Sequence, residues 1–471
     1  MATMVASGDS HMTLADGFYT ASRNAYNLVA WRQATRMFPF ESFDLVFNRP
    51  DLVAKKLGCK DRILLKAYRN AYLKRLKRMN FKETDLGTDM HLPKARLHKR
   101  GETLEMPSER LTVNVRAWDA KYKIDRFILY VNGVPEGGSR GFSLRNRSTN
   151  RYENEVDVTL SSGTNTIELV CYNQKGVASL PDSMEVFCTK PALKPSLRLV
   201  SIGVSDYVDD AYDLQYAAKD ARDIAHFISG RENAFDQIIT RVIVDENATK
   251  ERIQGTKVFL AESSVDDFVV VFLAGHGLLD KKLDYFFATA DTDFGNPGAR
   301  ALSYESIADL TDGIPARRKL LLLDTCHSGE LDTEDYRLAQ SSNPPGVRAR
   351  AVRGFKVKKQ NTLGLASTVD VVRELFADLR AGSGTFVISS AGGAEFALES
   401  IRWENGVFTA SLLKGLQSAQ SDQNGDGSTT VSELNQFVAN RVRTLTNGRQ
   451  TPTSRSVNLD FDFALDPLKS E

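Results

Sequence analysis

Two short motifs place a histidine and a cysteine where they could act together on a carbonyl carbon. His276 follows the apolar run 268–274, and Cys326 follows the apolar run 319–323. Apolar runs of this kind are typical of buried parallel strands, whose carboxyl ends meet at one edge of the sheet. A thiolate there could attack a carbonyl while the imidazole transfers the proton. The backbone amides of Gly277 and Cys326 could hold the resulting oxyanion.

The elements that would position these residues follow from an alternating pattern. After Leu197, apolar runs are each followed by helix-forming sequence, such as residues 216–228 and the segment that begins at Thr249. The runs are LRLVSIGV, IITRVIV, DFVVVFLAG, KLLLLD and TFVISSA. This pattern predicts an α/β domain over residues 196–468, with a mostly parallel sheet flanked by helices. A long polar linker at about 331–362 interrupts the pattern.

The sequence before this domain has a different pattern of apolar and turn-forming residues. Within residues 101–190, short runs rich in β-branched and aromatic residues alternate with turn sequences such as Asn-Gly. They predict an all-β sandwich of the immunoglobulin-like kind. Residues 13–100 combine short strands with an amphipathic helix, whereas residues 1–12 lack periodicity and are typical of a leader or tag. The proline-bounded stretch 190–195 is typical of a domain linker.

The helix predicted within residues 51–82 is strongly basic. This segment carries 11 Lys or Arg residues against two acids. Apolar residues recur in it at helical spacing, namely Leu65, Tyr68, Tyr72, Leu76 and Met79. Two interpretations stay open: a docked helix whose basic face is solvated, or a surface for an anionic partner.

Composition and charge exclude several classes of protein. The 471 residues include 61 Lys or Arg against 60 Asp or Glu, which argues against a dedicated nucleic-acid binder. No apolar stretch approaches the length of a membrane span, and no secretory signal is recognisable, so we expect a soluble cytoplasmic protein without a membrane partner. Four cysteines are too few for a disulfide framework. In a reducing compartment we expect Cys171 and Cys188 to be free thiols.

The paired motifs FLAGHG and LLLLDTCHSG resemble those of the caspase superfamily of cysteine peptidases, in its metacaspase and paracaspase branch. Cys326 follows His276 by 50 residues, a separation similar to the one known for caspases. The resemblance covers about residues 197–465 and implies that Cys326 and His276 form the catalytic pair. It also implies that the polar linker separates a large from a small subunit and is a segment that the family often cuts.

Charge near Cys326 indicates the class of substrate. Caspases that prefer acidic residues have Gln two places before the cysteine, whereas this chain has Asp324 there, as metacaspases and paracaspases do. Asp220 and Glu395 fit two further acidic positions of the family. Several carboxylates in one pocket repel each other unless a cation lies between them, so the pocket is predicted to accept Arg or Lys, with Arg favoured by its bidentate geometry. For Asp220 alone, a solvated helix surface stays an alternative.

The linker between the predicted subunits is a candidate for self-cleavage. Its basic residues are Arg348, Arg350, Arg353, Lys356, Lys358 and Lys359. An exposed basic loop near a pocket for basic side chains could be cut in cis or in trans. A merely flexible surface loop is the alternative.

Residues 422–433 fit the formula of an EF-hand calcium loop. The candidate ligands are Asp422, Asn424, Asp426, Ser428 and Glu433. Thr429 stands where such loops carry an aliphatic residue, and the strongly periodic helix, 431–445, only follows the loop. Calcium binding and a structural turn that caps this helix therefore both stay open. The peptidase chemistry itself requires no cofactor, although metacaspases often require Ca²⁺ for activation.

The N-terminal region carries a second resemblance. FYTASRNAYNLVAWR, then ESFDLVFNRPDLV, the basic helix and the β-sandwich look like the connecting region of bacterial proteins in which a WD-repeat propeller precedes a caspase-like domain. The resemblance implies that one blade's tail is present at the start of this sequence. A single blade cannot bury both its faces and should pack on the sandwich or stay loose.

These observations predict a cysteine endopeptidase that cleaves after Arg or Lys and is processed in its basic linker. Its expected partners are protein substrates with a basic residue before the cut and an upstream activator, with no nucleic acid. Two alternatives are a catalytically silent caspase-like scaffold and a calcium-regulated interaction module. A bacterial role in stress or antiviral defence rests on analogy with the family alone.

Overall fold

The computed structural model describes residues 2–7, 10–21, 30–33, 35–87, 89, 91–98, 104–280, 284–325, 347–350, 383–390, 397–456 and 462–468. These residues form two compact units, one up to Ala192 and the other from Leu193 onward. Within the described residues, no helix is both long and apolar enough to cross a membrane.

The first unit begins with a three-stranded antiparallel sheet. Its strands are β1 (Ala2–Ser7), β2 (Ser10–Ala15) and β3 (Phe18–Ala21), in that order. A separate antiparallel pair is formed by β4 (Ala30–Gln33) and β5 (Arg36–Pro39). Of residues 1–12, which are typical of a leader or tag in sequence, 2–7 and 10–12 contribute to this sheet, and Met12 is buried against Tyr19 and Phe40. Their origin as a leader stays a prediction.

Short helices follow in place of the single basic helix expected within residues 51–82. They are α1 (Asp44–Phe47), α2 (Pro50–Lys56) and α3 (Arg62–Arg78). Gly58 has a positive φ of 87° between α2 and α3, a conformation that ends a helix and that glycine adopts without strain. Tyr72, Leu76 and Met79 of the predicted apolar stripe are buried.

Part of the basic face of these helices is paired within the first unit. Arg69 bonds to Glu83, and Arg75 lies 3.3 Å from the Asp44 carboxylate. Arg49, just before α2, reaches both Asp51 and Glu83 at 2.8 and 2.9 Å. These ion pairs favour the docked-helix interpretation over a surface kept for an anionic partner.

The rest of the first unit is a sandwich of two sheets. Its strands are β6 (Lys94–Leu97), β7 (Leu104–Met106), β8 (Arg110–Trp118), β9 (Ile124–Val131), β10 (Val134–Pro135), β11 (Phe142–Ser143), β12 (Arg151–Thr159), β13 (Gly163–Asn173) and β14 (Asp182–Cys188). One sheet has the order β10-β9-β13-β14-β7, with β11 also on β9, and the other has the order β12-β8-β6.

Alternating burial explains why these segments form a sandwich. Along β8, Leu111, Val113, Val115 and Ala117 are buried while the residues between them are more exposed. They share one core with side chains of β9 and β13 from the facing sheet. The predicted all-β sandwich is confirmed, and it begins with β6, before the expected boundary at residue 101.

The second unit is built on a six-stranded sheet among its described residues. The strands that precede its linker are β15 (Leu197–Gly203), β16 (Ile238–Val244), β17 (Phe268–Gly275), β18 (Gly277–Leu279), β19 (Tyr285–Phe287), β20 (Leu302–Ser303) and β21 (Arg318–Thr325). The later strands are β22 (Val347–Ala349), β23 (Thr385–Ser389), β24 (Leu398–Ser400), β25 (Asn405–Gly406) and β26 (Thr453–Ser456).

The order of the main sheet is β16-β15-β17-β21-β23-β26. The first five strands are parallel and β26 is antiparallel. Helices connect them: α4 (Ala217–Ser229), α5 (Lys250–Leu260), α6 (Tyr304–Asp309), α7 (Val407–Gln417) and α8 (Val431–Leu445). All of β17 is buried, as expected for a central parallel strand. The predicted α/β domain is therefore confirmed.

Cys171 and Cys188 are buried free thiols, in agreement with the sequence. Burial raises the pKa of the Cys171 thiol to about 12, so the thiol stays protonated at about pH 8.

We expect iodoacetamide at this pH to leave Cys171 unmodified in the native protein and to alkylate it in denaturant, as measured by peptide mass spectrometry. The half-buried Cys59 is the internal control, and native alkylation of Cys171 at the rate of Cys59 would contradict the burial.

Candidate active site

The two strand ends singled out from the sequence are neighbours in the sheet. β17 and β21 are parallel, with Gly275 opposite Thr325. His276 follows β17 directly, and the buried Gly277 begins β18 opposite Phe287. Cys326 follows Thr325 in the sequence but lies outside the described residues. The structure thus describes the histidine half of the predicted pair, and the roles of Cys326 and the Gly277 amide stay predictions.

The imidazole of His276 is held by backbone and aromatic groups. Its Nε2 lies 2.8 Å from the Tyr212 carbonyl oxygen, and its backbone N–H donates to the Tyr207 hydroxyl at 3.1 Å. Because a carbonyl only accepts hydrogen bonds, Nε2 carries the ring proton. Nδ1 is buried and has no hydrogen-bond partner among the described residues. It is therefore the ring atom available to exchange a proton.

Burial lowers the pKa of His276 to about 4. The Tyr212 carbonyl, the Glu399 carboxylate and the backbone of Arg350 oppose this effect because each favours the imidazolium. The ring is consequently neutral near pH 7. The backbone of Arg350 is thus close enough to the imidazole to influence its protonation.

Aromatic rings fix the plane of His276. The ring centroids of Tyr207 and Phe294 lie 5.2 and 5.9 Å from the imidazole. Tyr212 stacks on Phe294 at 3.7 Å and meets the imidazole edge-on. Gly275 is required beside them, since a Cβ there would lie 3.0 Å from the Tyr207 hydroxyl oxygen. Sequence reasoning did not identify these aromatic residues, which carry no motif of their own.

Three buried carboxylates from separate elements surround one arginine. Asp220 lies in α4, Asp324 is next to last in β21, and Glu399 lies in β24. Their side chains are 0–2% exposed, as is that of Arg350, which follows β22. The structure therefore brings together the predicted Asp220 and Asp324. The alternative of a solvated surface position for Asp220 is wrong.

The guanidinium of Arg350 reaches each acid through a different nitrogen. Nη2 bonds to the Asp220 carboxylate, and Nε donates to Glu399 at 3.1 Å. Nη1 lies 3.3 Å from the Asp324 carboxylate and donates to its main-chain carbonyl at 3.2 Å. A fork of donors meeting acceptors on several sides is the arrangement that arginine provides and lysine does not.

Neutral donors complete the walls of the pocket. Asn405 Nδ2 donates to Asp220 at 2.8 Å, and the Gly406 N–H donates to both oxygens of that carboxylate at 3.2 Å. The Thr409 hydroxyl donates to Asp324 at 2.6 Å. At Gly406 a Cβ would lie 2.5 Å from the Asp324 carboxylate and 2.9 Å from Arg350 Nη2. Only glycine leaves room there for an arginine side chain.

The balance of charge in the pocket favours a cation. Burial raises the pKa of Asp220 to about 7, the Arg350 guanidinium lowers it, and Asp324 raises it. Three carboxylates face one guanidinium, so an empty pocket would hold a stronger unbalanced negative charge than the occupied one. A basic side chain relieves that imbalance.

The backbone leading to Arg350 is extended and paired. β22 is antiparallel to β24, with Val347 opposite Ser400 and Ala349 opposite Leu398. The Arg350 N–H donates to the Ala397 carbonyl at 2.8 Å. Val347 is buried in the core of the second unit. Peptides recognised by strand addition are held in this way, with main-chain bonds along the strand and pockets for particular side chains.

Several predicted residues are not part of this description. Glu395, Arg353, Lys356, Lys358 and Lys359 lie outside the described residues, as does the side chain of Arg348. Glu399 supplies a pocket carboxylate that sequence reasoning missed. Both glutamates occur in the short segment AEFALES, and local sequence does not reveal which one turns toward the pocket. Arg350 was a candidate for cleavage, but its burial in the pocket was not anticipated.

The loop 422–433 is closed by its own hydrogen bonds. Asp422 accepts from the amides of Gly425 and Gly427 at 2.8 and 2.9 Å. Asn424 and Asp426 each accept from the amide two residues on, that of Asp426 and that of Ser428. Within the described residues, no group of three or more His, Cys, Asp or Glu side chains is arranged to hold a metal ion.

Glu433 joins this loop to α8. It accepts from the amides of Gln423, Asn424 and Thr430, and Thr430 caps the helix in return. These bonds, with that from Thr430 foremost, lower the pKa of the Glu433 carboxyl. The arrangement supports the structural turn that caps a helix. Calcium binding stays a prediction from the sequence.

Comparison with protein families gives a match for more than half of the chain. The family model described as the caspase domain matches residues 198–464. The chain belongs to the caspase family. This family consists of cysteine peptidases, and the matched range includes the histidine, the predicted nucleophile and the acidic pocket.

Solved structures similar to this chain include caspases. Protein GSU0716 from Geobacter sulfurreducens is 16% identical, with a TM-score of 0.37, covering 55% of this chain and 93% of its own. The Drosophila initiator caspase Dronc is 12% identical (TM-score 0.34; 58% and 83% covered). Caspase-1 from Spodoptera frugiperda is also 12% identical (TM-score 0.31; 56% and 87% covered). No curated protein sequence gives a significant match.

Removing the central guanidinium should destabilise the second unit in a pH-dependent way. We expect Arg350→Ala to lower the free energy of unfolding by about 3–5 kcal/mol, because it leaves buried carboxylates without their cation. Arg350 lowers the pKa of Asp220, so its loss raises that pKa further above the unfolded value. The destabilisation should grow as the pH rises from about 5.5, where Asp220 is protonated in both proteins, to about 8.

Thermal and urea unfolding of the intact chain measure this effect. Both proteins carry Cys326→Ala, so that no self-cleavage complicates the comparison. Arg402→Ala is the matched control, since Arg402 is an exposed arginine of the same unit. Equal effects of the two substitutions, or a destabilisation by Arg350→Ala that shrinks toward about pH 8, would contradict the buried cluster.

Proposed function

We propose that this caspase-family chain is an endopeptidase that hydrolyses peptide bonds after arginine and, less well, after lysine. The observation that carries the proposal is Arg350, whose side chain fills the acidic pocket while its backbone pairs with the neighbouring strand. A substrate peptide would add to β24 in the same way. The acidic pocket supports a relationship with the metacaspase and paracaspase branch.

In this proposal Cys326 is the nucleophile and His276 is the proton carrier. The Cys326 thiol passes its proton to Nδ1 of the neutral imidazole. The resulting thiolate attacks the carbonyl carbon of the bound arginine, and the amides of Gly277 and Cys326 stabilise the oxyanion. The carbon–nitrogen bond then breaks, and the leaving amine takes the proton held at His276 Nδ1. Water next attacks the thioester and gives one proton to Nδ1. The carbon–sulfur bond breaks, Nδ1 passes this proton to the sulfur to restore the thiol, and the released carboxylic acid ionises. The Tyr212 carbonyl supports the proposal because it keeps Nε2 protonated throughout.

Arg350 is also the first site of processing in this proposal. Its side chain already occupies the pocket, and its backbone influences the pKa of His276, so the bond to Ala351 is the one presented to the nucleophile. Until that bond is cut and the new C-terminus leaves, other substrates are excluded from the pocket. The chain is therefore made as a zymogen, and an upstream activator would act by releasing the segment 347–350.

Peptide cleavage tests the peptidase assignment. We expect the purified chain, once incubated until it has been cut after Arg350, to hydrolyse an Arg-ended fluorogenic peptide and to leave an Asp-ended peptide with the same preceding residues intact. Cys326→Ala should lower the Arg-directed rate by at least about 10⁴-fold while the far-UV circular dichroism is unchanged. Full activity of that variant, or equal cleavage of the two peptides by the unaltered chain, would refute the proposal. Complete inactivity toward both would favour a silent scaffold.

Intact-mass spectrometry tests the processing site. We expect the incubated chain to yield a fragment that ends at Arg350, and we expect Arg350→Ala to lose this cut. Arg350→Lys should still be cut, but at least about tenfold more slowly, because lysine offers fewer donors to the three acids. Arg402→Ala serves as the control arginine substitution and should leave the cut unchanged. A cut after Arg350 that persists in Cys326→Ala would instead indicate an outside protease.

A further inference from the structure

Glu399 contacts both Arg350 and the loop 212–216, which holds His276. Its Oε2 accepts from Arg350 Nε at 3.1 Å and from the Tyr216 N–H at 3.3 Å. Its Oε1 accepts from the Gln215 N–H at 2.9 Å. The side chain is 2% exposed, so water does not compete for these bonds. One carboxylate therefore joins the substrate-like side chain to the backbone of residues 215–216.

The same loop supplies the hydrogen bond that orients His276. The Tyr212 carbonyl, three residues before Gln215, accepts from His276 Nε2 at 2.8 Å. Because so few residues join the two, the position in which Gln215 is held limits where Tyr212 can lie. Asp213, the residue after Tyr212, also holds this loop, because its carboxylate accepts from the Tyr207 N–H at 2.9 Å. The position of the imidazole thus depends on the anchor that Glu399 provides.

Arginine and lysine would engage Glu399 differently. The Nε–H of arginine is the donor that meets Glu399, whereas a lysine side chain has a methylene group at that point of its length. With lysine bound, or with the pocket empty, the buried Glu399 carboxylate faces Asp220 and Asp324 without this donor. Repulsion among the three acids then acts against the position that Glu399 needs in order to hold the loop.

We propose that Glu399 is a positioning residue that couples recognition of the arginine Nε–H to the orientation of His276. This inference rests on the proposed peptidase function and deepens it. It assigns the preference for arginine over lysine to turnover and not only to binding. A contact that strengthens only when the reacting groups are aligned raises kcat, whereas a contact made equally in the ground state lowers KM alone.

Steady-state kinetics on the self-processed full chain test this coupling. The probes are two fluorogenic peptides that differ only in ending with Arg or Lys. For the unaltered enzyme we expect kcat to be about 10- to 100-fold higher for the Arg peptide. In Glu399→Gln, the side-chain oxygen can still accept from the Gln215 N–H, while the amide nitrogen turns a donor toward Nε and toward the Tyr216 N–H. The kcat for the Arg peptide should fall to that for the Lys peptide, which should change less than about threefold.

Asp213→Asn is the matched control. Asp213 supports the same loop without touching Arg350, so its loss should lower the two kcat values by the same factor. A Glu399→Gln enzyme with an unchanged Arg-to-Lys ratio of kcat would overturn the inference. So would an unaltered enzyme in which the two peptides differ in KM alone, a result that needs no variant to fold. Failure of the unaltered enzyme to cleave either peptide would instead refute the peptidase function itself.

Discussion

The second unit is organised around one buried guanidinium and the three carboxylates that surround it. Arg350, Asp220, Asp324 and Glu399 come from segments far apart in the chain and are removed from water together. Such a cluster is tolerated only if every charge finds partners, because an unpaired buried charge is strongly unfavourable. Asn405, Gly406 and Thr409 supply the further donors. These partners must also fit around the cluster. Gly406, just before α7, leaves space for them that any side chain would fill.

This electrostatic constraint also supports the proposed preference for arginine in substrates. A pocket with more carboxylates than cations is unfavourable when empty and accepts the group that best satisfies several acids at once. Arginine does so with nitrogens that point in different directions, each to a different acid. Burial is the main cause of the raised pKa of Asp220, and the nearby Asp324 carboxylate raises it further. The proposed specificity and the observed placement of Arg350 therefore have one physical origin.

The parallel sheet brings this pocket next to the proposed site of chemistry. Asp324 lies opposite Ala274 in the sheet, one position before the pair Thr325 and Gly275. The strand that carries a pocket wall thus also delivers the predicted nucleophile, and its neighbour delivers the histidine. Tyr212 and Glu399 support these residues from behind. The Tyr212 carbonyl orients the imidazole, and Glu399 holds the loop that contains Tyr212. In the proposed function, binding and chemistry therefore depend on the same short segments of backbone.

Much of this organisation is determined by the sequence on its own. The sandwich, the parallel sheet and the strand-end placement of His276 were predicted because the period and length of apolar runs report burial directly. The family motif likewise identified Asp324 and Asp220 as pocket residues, whose place around a cation the structure shows. The basic helix was predicted as one element, since the break at Gly58 depends on a single backbone angle that periodicity does not reveal.

Only the tertiary structure decided which residues meet in the pocket. Arg350 and Asp220 are 130 residues apart, and no local pattern specifies that one fills the site formed by the other. The pairing of β22 with β24 fixes the position of Arg350, and β24 carries Glu399, a residue that the sequence did not distinguish from the nearby Glu395. Strand register and side-chain direction are set by contacts across the fold, and these contacts exist only once the chain has folded.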